Sequence, residues 1–249
     1  MKLLLLSNST DYGRRPLEHA ASAVGGFLGE GTTVTFLPLA RPDWVTYSQE
    51  VAETFEYLGI PLVCADTVSR IGAMVGQAQA LYIGGGNTFR LLRALYEYDL
   101  VDVIRQRVLE GVPYLGDSAG SIVPCPTIRT SNDMPVVEPP TLEALNLIPF
   151  QINPHYIEGK HTPTHMGETR DERLGHYLED NDAPVVALRE GSWLRVSDKQ
   201  VALGGLTGGR LFRREHAADE LHPGHDLSEL LAGGTTERAE EAGVHHSPT

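Results

Sequence analysis

The chain has 249 residues, a formal net charge of −13 and 41% hydrophobic residues. That length favours one large α/β domain over two small ones, and the negative charge argues against a nucleic-acid backbone or an anionic membrane as the main partner. Only two cysteines occur, Cys64 and Cys125, which supports neither a disulfide framework nor a Cys-based metal site and fits a reducing, cytoplasmic setting.

The opening run Met1 to Ser7 is too short for a signal peptide and passes at once into Asn8-Ser9-Thr10-Asp11, so it reads as a buried first strand over Leu3 to Leu6. No stretch approaches the roughly 20 apolar residues of a membrane helix. In chain order the pattern then predicts a helix over Pro16 to Leu28, a strand over Thr33 to Leu37 and a helix over Trp44 to Leu58. Strands follow at Pro61 to Cys64 and Leu81 to Ile83, with a weaker helix, Ser69 to Gln77, between them. Helical spacing marks Thr88 to Tyr98 and Leu100 to Leu109, and Pro113 to Leu115 is again strand-like. Short continuous apolar strands joined by helical crossovers imply an α/β fold with a mostly parallel sheet covered on both faces. Ligands in such sheets gather beyond the carboxyl ends of the strands.

After residue 124 the rhythm changes. Pro124 to Pro140 is rich in Pro, Thr, Asn and Asp and reads as a long loop of the kind that is often functional. A strand over Leu147 to Ile152, a helix over Gly167 to Leu178 and a strand over Val185 to Leu188 follow. Trp193 to Val196 and Gln200 to Leu203 form a hairpin pattern. Residues 1–214 are expected to be the catalytic domain. Residues 215–249 read as a polar C-terminal extension, a surface helix with a loose terminus, and not as a separate domain.

Residues 116 to 120 read Gly-Asp-Ser-Ala-Gly directly after an apolar strand, the layout of a nucleophile elbow. The glycines permit a sharp turn that lifts the Ser118 hydroxyl clear of the sheet edge, with the Ala119 N–H aimed at the carbonyl under attack. Ser118 needs a base, and among ten histidines His155 stands out at a strand end, where Pro154 stiffens the turn; His161 and His165 are its rivals. A carboxylate must in turn orient the imidazole. Glu190, just past a strand end, and Asp133, in the long loop, both qualify.

Gly84-Gly85-Gly86-Asn87 lacks the spacing of a phosphate loop. Opposite the elbow, the Gly86 N–H can join that of Ala119 as an oxyanion hole, or the turn simply starts the helix at Thr88. His155, His161 and His165 lack a metal-binding helix motif, and Pro163 interrupts any helix there, so no metal or other cofactor is expected. Together these residues point to a serine hydrolase.

The blocks Leu3 to Thr10, Gly84 to Phe89, Ser118 to Gly120, Cys125 to Pro135, Gln151 to His155, Gly167 to Arg170 and Glu190 to Trp193 are collinear with the peptidase E family, which the chain resembles from Met1 to about Arg213. These are cytosolic serine peptidases that hydrolyse dipeptides with an N-terminal aspartate. The resemblance implies a flavodoxin-like, class I glutamine amidotransferase-like three-layer sandwich acting without a cofactor, as a monomer or homodimer, on small Asp-X peptides. By position it makes Ser118 the nucleophile, His155 the base, Glu190 or Asp133 the third member, and Gly86 and Ala119 the oxyanion donors. Arg170 is the candidate partner of the substrate aspartyl carboxylate, since a bidentate arginine selects Asp over Asn. Arg129 is the second choice, and Asn87 joins the substrate-binding set.

The chain departs from the family in carrying Asp117 where an aromatic residue precedes the nucleophile; a carboxylate facing the pocket would repel an acidic substrate. The tail is also longer, and Tyr156 to His165 differs in composition. Alternatives are a same-fold peptidase of cyanophycinase-like or carboxypeptidase-like specificity, or a non-catalytic module that binds an acidic ligand.

Overall fold

The computed structural model describes residues 1–65, 67–159 and 167–234. Its centre is β1 (Lys2–Leu6), whose run of leucines faces two ways: Leu3 and Leu5 enter one hydrophobic cluster, Leu4 and Leu6 another. A strand buried on both faces needs this unbroken apolar run rather than alternation. Around it lies a seven-stranded sheet with β2 (Val34–Leu37), β3 (Leu62–Cys64), β4 (Ala80–Ile83), β5 (Tyr114–Asp117), β8 (Ser192–Ser197) and β9 (Gln200–Gly205), in the order β3-β2-β4-β5-β1-β8-β9. The first five strands of that order are parallel; β8 pairs antiparallel with β1, and β9 with β8.

Helices α1 (Ala21–Leu28) and α2 (Trp44–Leu58) cover one face through Val24, Phe27, Tyr47, Val51 and Phe55. Helices α3 (Val68–Gly76), α4 (Thr88–Glu97), α5 (Leu100–Leu109) and the short α6 (Ala119–Ile122) cover the other. The result is an α/β three-layer sandwich with a mostly parallel sheet.

A second sheet, ordered β11-β10-β7-β6, packs beside the first. Its strands are β6 (Gln151–Asn153), β7 (Val185–Leu188), β10 (Gly209–Phe212) and β11 (Asp219–Leu221). Only β6 and β7 run parallel. On β7, Val186 and Leu188 join the main core, whereas Val185 and Ala187 pack with Leu174 and Leu178 of α7 (Arg170–Asp180).

Three segments differ from the sequence expectations. The helix expected from Pro16 starts only after Leu17, which sits at φ 59° and blocks helical geometry there. The strand expected from Leu147 starts after Pro149, which has no N–H for the ladder. The described part of the tail, residues 215–234, is not a surface helix, and the loose terminus expected beyond it lies outside the described residues. Residues 219–221 pair with β10, a 3₁₀ helix spans Ser228–Gly234, and Leu221, Leu227 and Leu230 are buried in the main core. Asp-Glu-Leu has no strand propensity of its own; pairing with β10 imposes the conformation.

The elbow depends on close approach. A Cβ on Gly120 would stand 1.9 Å from the Ile83 carbonyl oxygen, and one on Gly116 2.2 Å from that of Gly120. Both obstacles are backbone, so no side-chain rearrangement relieves them. Gly120→Ala is expected to cost at least about 3 kcal/mol, lowering the melting temperature by roughly 6–12 °C in a chain of this size. An unchanged unfolding transition would contradict this packing.

Candidate active site

β5 ends at the elbow, and Ser118 takes φ 51° and ψ −112°, outside the favoured regions for a side-chain-bearing residue. The surroundings hold it there. Its N–H donates to the Leu6 carbonyl at 3.0 Å, and the Ser121 hydroxyl donates to the carbonyls of Leu6 and Gly116 at 2.7 and 2.9 Å. His155, beyond the end of β6, is likewise left-handed at φ 53°. Strained backbone at two residues that meet is a common mark of a functional site.

They do meet. The His155 Nε2 lies 2.9 Å from the Ser118 Oγ, and its Nδ1 lies 2.8 Å from the Glu190 Oε1. A carboxylate only accepts, so the Nδ1 carries the proton and the Nε2 is left to accept from the serine hydroxyl. This is the arrangement of a nucleophile, a base and an orienting acid.

Asp133 is not brought to His155. Its Oδ2 accepts from the Thr88 N–H at 2.7 Å and the Thr88 hydroxyl at 2.6 Å, which satisfies a donor at the start of α4. Asn87 caps the same helix by accepting from the Arg90 N–H at 3.0 Å, while its amide donates to the Met134 carbonyl at 2.9 Å. The side chains of Asp133 and Asn87 thus bind the long loop to the glycine turn. Asn132 binds the loop to the histidine turn, donating to the Pro154 carbonyl at 2.7 Å.

Two backbone donors near Ser118 are uncommitted. Gly85 N–H donates to Asp117 and Asn87 N–H to the Ala40 carbonyl, but Gly86 N–H, between them, has no partner among the described residues. The same holds for Ala119 N–H, at the first position of α6. Gly86 sits at φ 140°, and a Cβ there would come within 2.6 Å of the Ala40 carbonyl oxygen, so only glycine fits.

Arg170 opens α7. Its guanidinium is partly buried, with no ion pair among the described residues, and burial lowers its pKa while nearby Asp133 opposes that shift. A desolvated cation without a counter-ion can take an incoming carboxylate. Arg129 is exposed and lies near Tyr177. His161 and His165 lie outside the described residues. Among the described residues no group of three or more His, Cys, Asp or Glu side chains is placed to hold a metal ion. No helix among them is long and apolar enough to cross a membrane.

Asp117 does not face the site. It is 2% exposed and turned toward the α1–α2 side of the sheet, where its Oδ1 accepts from the Tyr82 hydroxyl at 2.6 Å. Its carboxylate therefore lies behind the site, bound to Tyr82 and Gly85, and not in the position where it would meet an acidic substrate directly.

Sequence reasoning missed Ser7 and Asn8, both buried at the end of β1. The Ser7 hydroxyl accepts from the His155 N–H and donates to the Leu188 carbonyl, each at 2.9 Å. The Asn8 Oδ1 accepts from the Gly191 N–H at 2.7 Å. Thr207 adds a third brace, donating to the Glu190 carbonyl at 2.6 Å. The available signal was position: polar residues directly after a fully buried strand, on the sheet's carboxyl rim. Ser7→Ala leaves the His155 N–H without its acceptor, for an expected cost of about 1–3 kcal/mol in urea unfolding. Phosphonylation of Ser118 by a fluorophosphonate should slow by about tenfold or more, because the base is displaced. Wild-type rates in that variant would remove Ser7 from the account.

The profile of peptidase family S51 matches residues 3–204. The chain is 50% identical over 231 residues to a peptidase E of Streptomyces coelicolor, covering 93% of this chain and 95% of that one. It is 42% identical over 232 residues to a Drosophila melanogaster protein named "Probable alpha-aspartyl dipeptidase", covering 92% and 97%. In three dimensions it resembles a peptidase from an acI-B1 Actinobacterium with a TM-score of 0.67 at 16% identity, over 91% of this chain and 96% of that one, a likeness of fold. With half its residues shared along nearly its whole length, this chain belongs to peptidase family S51.

Proposed function

We propose that the protein is a serine dipeptidase that removes an N-terminal aspartate from Asp-X dipeptides through an acyl-enzyme. The observation that carries the reading is the unbroken relay from the Ser118 Oγ through His155 to the Glu190 carboxylate, with distances of 2.9 and 2.8 Å. The peptidase E and aspartyl dipeptidase names of relatives at 50% and 42% identity support the substrate class.

In this mechanism the Ser118 hydroxyl attacks the carbonyl carbon of the aspartyl residue as its proton passes to the His155 Nε2. Glu190 holds the proton on the Nδ1 and stabilises the imidazolium. The negative oxygen of the tetrahedral intermediate is taken up by the N–H groups of Gly86 and Ala119, which carry no other hydrogen bond among the described residues. His155 then hands its proton to the leaving amine, the C–N bond breaks, and the second residue departs. Water, deprotonated by the same imidazole, attacks the ester to release aspartate and restore Ser118. The aspartyl side chain pairs with Arg170, whose partial burial and lack of an ion pair among the described residues favour a carboxylate over a neutral amide. Arg129, exposed near Tyr177, is the weaker choice for that role. Asn87 acts indirectly, by fixing the start of α4. The two thiols fit work in the cytoplasm.

Release of aspartate from Asp-Leu tests the reading. Ser118→Ala should lower kcat by about 10⁶-fold, and equal activity in wild type and variant would refute it. Arg170→Met should cost about 10²-fold or more in kcat/KM for Asp-Leu while leaving Asn-Leu nearly as poor a substrate as before. An equal loss on both would remove Arg170 from aspartate recognition.

A further inference from the structure

The residue before the nucleophile has no part in the chemistry above, yet it is a carboxylate buried to 2% exposure. Alternation along β5 sends Asp117 to the same face as Leu115, away from substrate. Burial raises its pKa, so placing it there is costly unless its oxygens are used. Both are used. The Oδ1 accepts from the Tyr82 hydroxyl at 2.6 Å, and the Oδ2 accepts from the Gly85 N–H at 3.1 Å.

The first contact immobilises the carboxylate. Tyr82 is itself fully enclosed, with ring centroids 5.0 Å from Phe36 and 5.4 Å from Phe55, so its hydroxyl is a fixed point. The second contact transmits that fixity to the glycine turn. Gly84, Gly85 and Gly86 have little intrinsic conformational preference and would otherwise exchange peptide orientations freely. Gly85 is held by Asp117 and Asn87 by the Ala40 carbonyl at 3.0 Å, and the Gly86 N–H between them has no partner among the described residues. Space enforces the same arrangement: a Cβ on Gly85 would fall 2.6 Å from the Asp117 Oδ2 and 3.0 Å from the Ser118 Cβ.

We propose that Asp117 is the positioning residue of the oxyanion hole, clamping the Gly85 N–H so that the Gly86 N–H faces the carbonyl oxygen under attack. The proposal rests on the reading of Gly86 and Ala119 as oxyanion donors. Its consequence is that one residue registers both halves of the reaction. The backbone of Asp117 delivers Ser118, and its side chain sets the donor that receives the charge.

The test compares wild type, Asp117→Ala, Asp117→Asn and Ser118→Ala on Asp-Leu. Binding of free aspartate and of the boronic acid analogue of aspartate, whose tetrahedral adduct occupies the oxyanion hole, is measured alongside. Asp117→Ala should lower kcat by about 10²–10³-fold, the size of one lost oxyanion donor, with KM within about threefold. Affinity for the boronic acid should fall by a comparable factor, and affinity for aspartate should not change. Asparagine can still accept from Gly85 through its Oδ1 and donate to the Tyr82 oxygen, so Asp117→Asn should keep kcat within about tenfold. It should nevertheless melt lower, because the Tyr82 hydroxyl proton loses its acceptor.

Wild-type kcat in Asp117→Ala, a loss carried by KM, or equal losses in the alanine and asparagine variants would overturn the proposal. If the alanine variant does not fold, a folded Asp117→Asn with kcat down by far more than about tenfold overturns it, and retained kcat supports it. An active wild type with a dead Ser118→Ala and an unimpaired Asp117→Ala would sink this proposal alone. A wild type inert toward Asp-Leu would sink the dipeptidase reading and this one with it.

Discussion

The three hydrogen-bonded residues of the proposed relay come from two different sheets, and what joins them is the polar end of β1. Ser118 leaves β5 of the large sheet, while His155 and Glu190 follow β6 and β7 of the small one. Proton transfer demands that these sheets stay in register to a fraction of an ångström. Ser7 lies where the two meet: one hydroxyl takes the His155 N–H and gives its proton to Leu188. Asn8 does the same for the Glu190 turn through Gly191. Because both side chains are buried and fully engaged, a shift of one sheet against the other breaks hydrogen bonds that water cannot replace.

A second set of polar contacts ties the mouth of the site together. The loop after the elbow reaches Thr88 through Asp133 on one side and Pro154 through Asn132 on the other. Its irregular backbone is therefore ordered by these side chains together with an isolated backbone bridge between Thr127 and Glu143. The charge layout follows from the same contacts. Asp133 spends its Oδ2 on the α4 terminus, Asp117 points into the α1–α2 side, and Arg170 is left as a partly desolvated cation without an ion pair among the described residues. In a chain of net charge −13, the pairing proposed between Arg170 and an aspartyl side chain relies on this local positive charge rather than on the global balance.

Much of this was legible in the sequence, and the exceptions have physical causes. Helix α2 and the strands of the parallel core follow from apolar period alone, because both faces of the sheet are covered. The elbow, the glycine turn and the strand-end histidine were visible because special backbone geometry demands glycine and proline at fixed places. The choice between Glu190 and Asp133 was not visible. Both are acidic residues on the same rim, and only the parallel pairing of β6 with β7, which brings the turn after β7 beside His155, decides which one reaches the imidazole. β11 was hidden because its residues have no strand propensity and take their conformation from β10. Ser7 and Asn8 were hidden because a serine or asparagine after a strand usually just ends it.

Glu190 orients the imidazole from the small sheet, and measuring kcat on Asp-Leu for Glu190→Gln beside Asp133→Asn probes that orientation. Glu190→Gln is expected to lose about 10²–10⁴-fold. For Asp133→Asn, which keeps an acceptor for Thr88, the expected loss is below about tenfold. The reverse order, with Asp133→Asn the more damaging, would contradict that orientation.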